Sequence, residues 1–134
     1  MKGKWSKGTR TQLGIATAGF PNLFFLYGPQ SPGAFAIGPA NAELQGDWII
    51  MCLEDMKKRG QTRIEALTAA EERWAKVTND LMDTTLISKA DTWYMGANIP
   101  GKVRESTNYI GGLPAYTKAI YDCSDNGYEG FVLS

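Results

Sequence analysis

An α/β fold is predicted for this chain, and three observations predict it. The run Leu23–Tyr27 is wholly apolar and is bounded by turn-forming residues, Gly19-Phe20-Pro21-Asn22 before it and Gly28-Pro29-Gln30-Ser31-Pro32 after it. Apolar residues recur at helical spacing from about Pro39 to Arg59 and from Thr68 to about Thr85. Pro114 opens a third helical stretch that stops near Asn126-Gly127. A short apolar run with no residue for a wet face reads as a strand buried on both sides, the usual state of a central parallel strand. Such a strand needs neighbours and helices on both faces. The sequence therefore implies a sheet larger than this chain supplies.

The elements follow in order. Residues 1–12 are polar, with Trp5 the only large apolar side chain, and read as a loop or entry segment. Gly14 to Gly19 reads as a short extended piece before the strand. Pro39 suits the first turn of a helix, where its missing N–H costs nothing, and Gly60 suits the stop. Within that helix Leu44, Trp48, Cys52 and Met56 recur every four residues and predict the buried face, with Ile49 and Leu53 beside it. Glu43 and Asp47 toward its start and Lys57-Lys58-Arg59 at its end suit the helix dipole. Arg63–Leu67 reads as a short extended segment. Thr68-Ala69-Ala70-Glu71 matches a capping box for the second helix, whose predicted buried face is Ala70, Trp74, Val77 and Leu81. Residues 87–112 show no sustained period and form a long aromatic loop. Tyr128–Leu133 reads as a last strand or tail.

Composition narrows the function. The chain has 134 residues, with 14 basic and 14 acidic side chains that cancel. No basic field points to nucleic acid or to an anionic membrane surface. No apolar stretch is long enough to span a bilayer, and Met1-Lys2-Gly3-Lys4-Trp5 lacks the apolar region of a signal peptide. A soluble cytoplasmic protein is the default expectation. There is no histidine, the commonest general base and metal ligand. Cys52 and Cys123 fit no metal spacing and read as buried small hydrophobes. No metal site is expected. G-x-G-x-x-G, P-loop and G-x-S-x-G motifs are all absent, and Asp91 and Glu105 read as solvated loop carboxylates.

Two stretches are candidates for ligand contact. From Gly28 to Pro39, a loop leads into a helix N-terminus, where unpaired N–H groups and partial positive charge face outward. An ordinary strand–loop–helix connection explains the same pattern. The second stretch is Trp93-Tyr94-Met95-Gly96-Ala97-Asn98-Ile99-Pro100-Gly101-Lys102, in which the glycines suit hinges and the aromatics suit a cover over a ligand. A packed surface loop explains it equally well.

Taken together, six segments resemble the C-terminal portion of Baeyer–Villiger monooxygenases, the cyclohexanone monooxygenase group of class B flavoprotein monooxygenases. They are Gly19–Pro29, Glu43-Leu44-Gln45-Gly46-Asp47-Trp48-Ile49, Arg63-Ile64-Glu65-Ala66, Trp93–Lys102, Asn108-Tyr109 with Gly111-Gly112-Leu113, and Asn126-Gly127-Tyr128-Glu129-Gly130-Phe131. They occur in order over nearly the whole chain. The resemblance implies a single partial domain over residues 1–134. This is the C-terminal part of a Rossmann-like FAD domain, with one buried strand, about three helices and the aromatic loop, but without the half that carries the nucleotide fingerprints.

It further implies FAD, NADP(H) and oxygen insertion into a ketone. The cofactor-facing residues would be Gly28, Pro29 and Gln30 beside the flavin, and Trp93 and Lys102 on a loop over the nicotinamide cofactor. Gly33, Ala34, Phe35, Ala36 and Ile37 would wall the substrate pocket. The family's active-site aspartate, catalytic arginine and both dinucleotide fingerprints are absent, so no catalytic residue is assigned and neither cofactor is expected to be held by this chain alone. Departures from the family pattern lie at Gln12, Ile37, Ala40, Ile87-Ser88, Ser106-Thr107 and Ile110.

Three readings remain. The chain is one part of a monooxygenase that needs an upstream flavin- and NADP-binding chain. Or it is a cofactor-free descendant that binds, isomerises or cyclises a hydrophobic ketone or polyketide, with Phe35, Trp93, Tyr94 and Met95 lining the pocket. Or it is a non-catalytic interaction module. An apolar edge without its sheet predicts self-association or a partner chain in each case.

Overall fold

The computed structural model describes residues 1, 3–33 and 35–134. Helix α1 spans Gly38–Lys58, α2 spans Thr68–Asp83 and α3 spans Leu113–Asp125. Strand β1 (Ile64–Ala66) pairs antiparallel with β2 (Phe131–Leu133), with Ile64 opposite Leu133 and Ala66 opposite Phe131. Short 3-10 turns cover Lys4–Lys7, Leu86–Lys89 and Trp93–Met95. The three helices and the small sheet make the α/β arrangement expected from the sequence.

Helix α1 begins next to Pro39 and ends before Gly60, whose φ of 67° is the left-handed conformation that stops a helix. Trp48, Cys52 and Met56 are buried along it as their spacing predicts, while Leu53 is exposed. Asn41 and Gln45 share that buried face, which hydrophobic periodicity could not show. Gln45 Nε2 donates to the Tyr116 hydroxyl at 2.7 Å, and that hydroxyl donates to the Leu13 carbonyl at 2.6 Å. Gln45 Oε1 accepts from the Tyr27 N–H at 2.6 Å. One buried relay thus ties α1 to α3 and to both arms of the N-terminal region. Trp48 adds a second α1–α3 link, its indole N–H donating to the Ile120 carbonyl at 2.8 Å. Phe131, Tyr128 and Trp74 close the core around these helices.

Three expectations are corrected. Leu23–Tyr27 is not a strand: it is irregular up to a bend at Leu26-Tyr27, where Tyr27 has a left-handed φ of 58°, and Leu26 is 59% exposed. Among the described residues the one sheet is β1–β2, and this segment is not in it. The capping box at α2 does not form: Leu67 is the N-cap, and no side-chain capping bond is made. Glu71 is drawn instead into a long-range network described in the Discussion. The buried face of α2 is also turned from the predicted one. Ala70 and Trp74 are buried, but Val77 is 41% exposed, and Thr78 and Met82 take the interior.

Cys52 and Cys123 are free and buried, and the Cys123 thiol donates to the Glu129 carbonyl at 3.1 Å. Burial pushes the Cys52 thiol up to about 11 and the Cys123 thiol up to about 12. A thiol raised by folding contributes stability that is complete below its unfolded value and is lost as pH climbs through its folded value. Neither thiol is expected to react with a disulfide reagent in the native chain at mildly alkaline pH, and both should react in denaturant. Native labelling as fast as the denatured control would overturn this.

Candidate functional site

The loop after Tyr27 and the aromatic loop meet at one cleft of about 420 Å³. Gly28, Pro29, Ser31 and Pro32 form one wall; Trp93, Asn98, Ile99 and Lys102 form the other, with Trp5, Thr9, Tyr27, Thr107 and Asn108 between them. Backbone stitching explains why these distant segments converge. The Gln30 N–H donates to the Thr107 carbonyl at 2.7 Å, and the Tyr109 N–H donates to the Ser31 carbonyl at 3.0 Å, beside a parallel bridge between Pro32 and Tyr109. The Thr107 N–H in turn donates to the Tyr94 carbonyl at 2.9 Å. The segment 105–109 is therefore the spacer that sets the width of the cleft.

Two glycines are sterically required here. A Cβ at Gly28 would lie 2.5 Å from both the Gly14 carbonyl oxygen and Phe25 Cβ, so the wall can come this close only with no side chain. Gly96 has φ +66°, and the Lys102 stem packs over its bare Cα face, with Cδ 3.1 Å from where a Cβ would stand. That packing places the Lys102 ammonium on the cleft wall. Trp93 is 59% exposed and lies against Tyr94 with ring centroids 4.0 Å apart. A large apolar face held open to solvent at a cleft mouth is suited to covering a planar ligand.

The sequence-predicted residues divide into three groups. Gly28, Pro29, Trp93 and Lys102 are brought together in the cleft. Gln30 is fully buried with φ 64°, and its side chain points into the protein. Its Oε1 accepts from the Thr11 N–H at 3.0 Å and the Thr11 hydroxyl at 2.8 Å, and its Nε2 donates to the Thr9 carbonyl at 3.1 Å. Gly33, Phe35, Ala36 and Ile37 do not line the cleft. Phe35 and Ile37 are 61% and 74% exposed at the entrance to α1. Ala34 lies outside the described residues. A single pocket of Phe35, Trp93, Tyr94 and Met95 is thus not formed; Met95 is buried, and Phe35 stands apart from the cleft.

The carboxylates also separate. Asp91 is exposed and pairs with Arg104 at 2.6 Å. Glu105, expected in solvent, is buried. It accepts from the Thr9 N–H and from Arg10 at 2.8 Å, and Arg10 also reaches Glu72 at 2.9 Å. Its role is to hold the N-terminal segment against the cleft. Thr9, Thr107 and Asn108 were missed as cleft residues, because their polar side chains have no periodicity to mark them. The isolated motif Asn108-Tyr109 was the one available signal. Among the described residues no group of three His, Cys, Asp or Glu could hold a metal ion, and no helix is long and apolar enough to cross a membrane.

No protein-family model matches the chain. It is similar to the cyclopentanone 1,2-monooxygenase of Comamonas sp. (strain NCIMB 9872), at 49% identity over 133 residues, which is 99% of this chain and 24% of that protein. It is also similar to the FAD-binding monooxygenase VdtE of Byssochlamys spectabilis, at 42% identity over 134 residues, covering 99% of this chain and 24% of the other. Among solved structures, the cyclohexanone monooxygenase from Rhodococcus sp. Phi1 bound to NADP+ superposes with a TM-score of 0.92 at 33% identity, over 99% of this chain and 25% of that one. The chain therefore spans about a quarter of the length of the relatives it matches.

Proposed function

The chain corresponds to the C-terminal portion of Baeyer–Villiger monooxygenases of the cyclohexanone monooxygenase type, and from that premise we propose that it supplies one side of a flavin- and NADPH-dependent ketone oxygenation site that it does not complete alone. The observation that supports this reading most is the convergence of Gly28, Pro29, Trp93 and Lys102 on one cleft. These residue types suit the work. An exposed indole covers a planar cofactor, and a lysine meets phosphate or ribose oxygens, while Gly28 lets the facing wall pack tightly on Gly14 and Phe25.

The cleft volume lies within the usual range of about 300–1,000 Å³ for ligand pockets, so it can take the ring-bearing end of a nucleotide cofactor. The rest of a dinucleotide needs a phosphate-cradling glycine loop, and the sequence has no G-x-G-x-x-G. The residues present therefore fit one end of such a cofactor. FAD and NADPH, when bound, supply the redox chemistry; the residues of this chain orient the cofactors and exclude water. In this reading Gln30 holds the flavin-side loop from behind. Gly33, Phe35, Ala36 and Ile37, with Ala34, face the ketone once a flavin-binding polypeptide is docked. Residues 1–134 act as one partial domain.

The test is flavin absorbance and ketone-dependent NADPH oxidation, measured on the purified chain alone and after mixing with an FAD-loaded polypeptide. That polypeptide is the Comamonas cyclopentanone monooxygenase without the stretch matched here. Neither signal is expected from the chain alone, and ketone oxygenation is expected from the mixture. Turnover by the chain alone, or an inert mixture, would overturn the proposal.

A further inference from the structure

A groove of about 330 Å³ lies between α2 and α3, and it shares no lining residue with the cleft at Gly28 and Trp93. Helix α2 gives it Ala70, Arg73, Trp74 and Val77, which stand at i, i+3, i+4 and i+7 and so occupy one face. Ala119 and Asp122 border it from α3, and the buried Gln12 and Leu13 form its floor. The small side chains of Ala70 and Ala119 leave the space open.

Three charged side chains stand on the rim, and one of them is already satisfied. Asp122 pairs with Lys118 at 2.5 Å, one turn earlier on α3. Arg73 and Glu129 are exposed, and neither pairs its charge with another described residue. They belong to the same end of the groove. A Cβ on Gly130 would stand 2.9 Å from Ala70 Cβ, so the backbone next to Glu129 presses on α2 one turn before Arg73. Gln12, 7% exposed, donates from Nε2 to the Glu129 carbonyl at 3.5 Å, and its Oε1 accepts from no described residue. Among the described residues the groove thus offers an unpaired cation, an unpaired carboxylate and an unused amide oxygen around an apolar floor.

We propose that this groove binds an apolar α-amino acid. The charges decide the class. A carboxylate alone would meet Arg73 but leave Glu129 repelling it, and an amine alone would meet Glu129 but be repelled by Arg73. A zwitterion satisfies both, and an α-amino acid carries its two charges on neighbouring atoms, as the closeness of Glu129 to the Arg73 turn requires. The Arg73 guanidinium takes the carboxylate through two parallel N–H donors. The ammonium donates to the Glu129 carboxylate and to Gln12 Oε1. The side chain lies on Leu13, Trp74 and Val77, which removes their apolar surface from water. Size agrees, because the volume stands near the lower end of the range of about 300–1,000 Å³ for ligand pockets and suits one small molecule. The site needs neither flavin nor nicotinamide and is independent of the proposed function.

Titration of the full chain with L-phenylalanine, followed by NMR at the indole N–H resonances, tests this. The Trp74 resonance should shift and saturate, and that of Trp93, in the other cleft, should stay in place. N-acetyl-L-phenylalanine lacks the ammonium and L-phenylalanine amide lacks the carboxylate; each should bind at least about tenfold more weakly. Arg73→Ala and Glu129→Gln change exposed side chains without an ion pair among the described residues. Each should weaken L-phenylalanine binding at least about tenfold with the unfolding midpoint unchanged. An unmoved Trp74 resonance would overturn the site. N-acetyl-L-phenylalanine binding as tightly as the amino acid would make the groove an anion site, and the amide doing so would make it a cation site; either result overturns the proposal. Binding that survives both substitutions would put the amino acid elsewhere and overturn it too.

Discussion

Replacing Glu71 with alanine is expected to lower the stability of the chain by about 3 kcal/mol, because several partners depend on this one buried carboxylate. Glu71 is 1% exposed. Its Oε1 accepts from the Thr17 hydroxyl at 2.6 Å and the Ala18 N–H at 2.7 Å, and its Oε2 pairs with Lys4 at 2.8 Å. The same Lys4 ammonium donates to the Ala18 carbonyl at 2.7 Å. Truncation strands the buried Ala18 N–H, at about 1–3 kcal/mol, and leaves the Thr17 hydroxyl only the Arg10 carbonyl at 2.9 Å. The Lys4 side chain is 23% exposed, so it regains water and adds less than a fully buried partner would. Glu71→Gln keeps an acceptor for Thr17 and Ala18 and should cost about half as much. Thermal unfolding measures both; a loss of about 3 kcal/mol lowers the midpoint of a chain this size by roughly 10 °C. Equal losses for the two variants would show that charge, not hydrogen-bond acceptance, carries the effect. No loss for alanine would dismiss the network.

Glu71 also shows where the sequence was legible and where it was not. Helix ends are local events. Pro39 near the start of α1 and Gly60 beyond its end follow from dihedral preferences that a reader can apply residue by residue. The capping-box reading of Thr68 and Glu71 used equally local rules, but it lost to partners more than fifty residues away in sequence. The predicted face of α2 failed for a related reason. Hydrophobic periodicity assigns Val77 inward and cannot see that Glu71 and Thr78 are buried with their hydrogen bonds satisfied. Leu23–Tyr27 is a different case. Its composition is that of a doubly buried strand, and among the described residues no strand lies beside it. Of the cleft, Gly28, Pro29, Trp93 and Lys102 were legible through family resemblance. Their meeting was not, because it is set by backbone bonds from Gln30, Ser31 and Tyr94 to the featureless stretch around Thr107.

Gln30 separates scaffold from contact within that cleft, and Gln30→Ala is expected to cost about 3 kcal/mol while Trp93→Ala costs almost nothing in stability. The Gln30 side chain is the buried partner of Thr9 and Thr11, and its backbone carbonyl accepts from the Trp74 indole at 3.0 Å. Alanine leaves the Thr11 N–H without its acceptor and removes one of two donors to the Thr9 carbonyl, which keeps Arg10 at 2.8 Å. It also retains the left-handed φ of 64°, which a non-glycine residue holds at a cost of about 1–2 kcal/mol. Gln30→Gly removes the same bonds but relaxes that backbone strain, so it should lose less than alanine does. The difference between the two variants measures the strain, and the remainder measures the side-chain bonds. Trp93, at 59% exposure, has little packing to lose. Its removal should act on the affinity of the cleft for a nicotinamide nucleotide in the assembled complex, with the midpoint of unfolding unchanged. If Gln30→Ala were as stable as the parent chain, Gln30 would be a free side chain available to the flavin, and the scaffold role assigned to it would fall. If Trp93→Ala were instead the destabilising change, the indole would be a packing residue and the cleft would lose its cover.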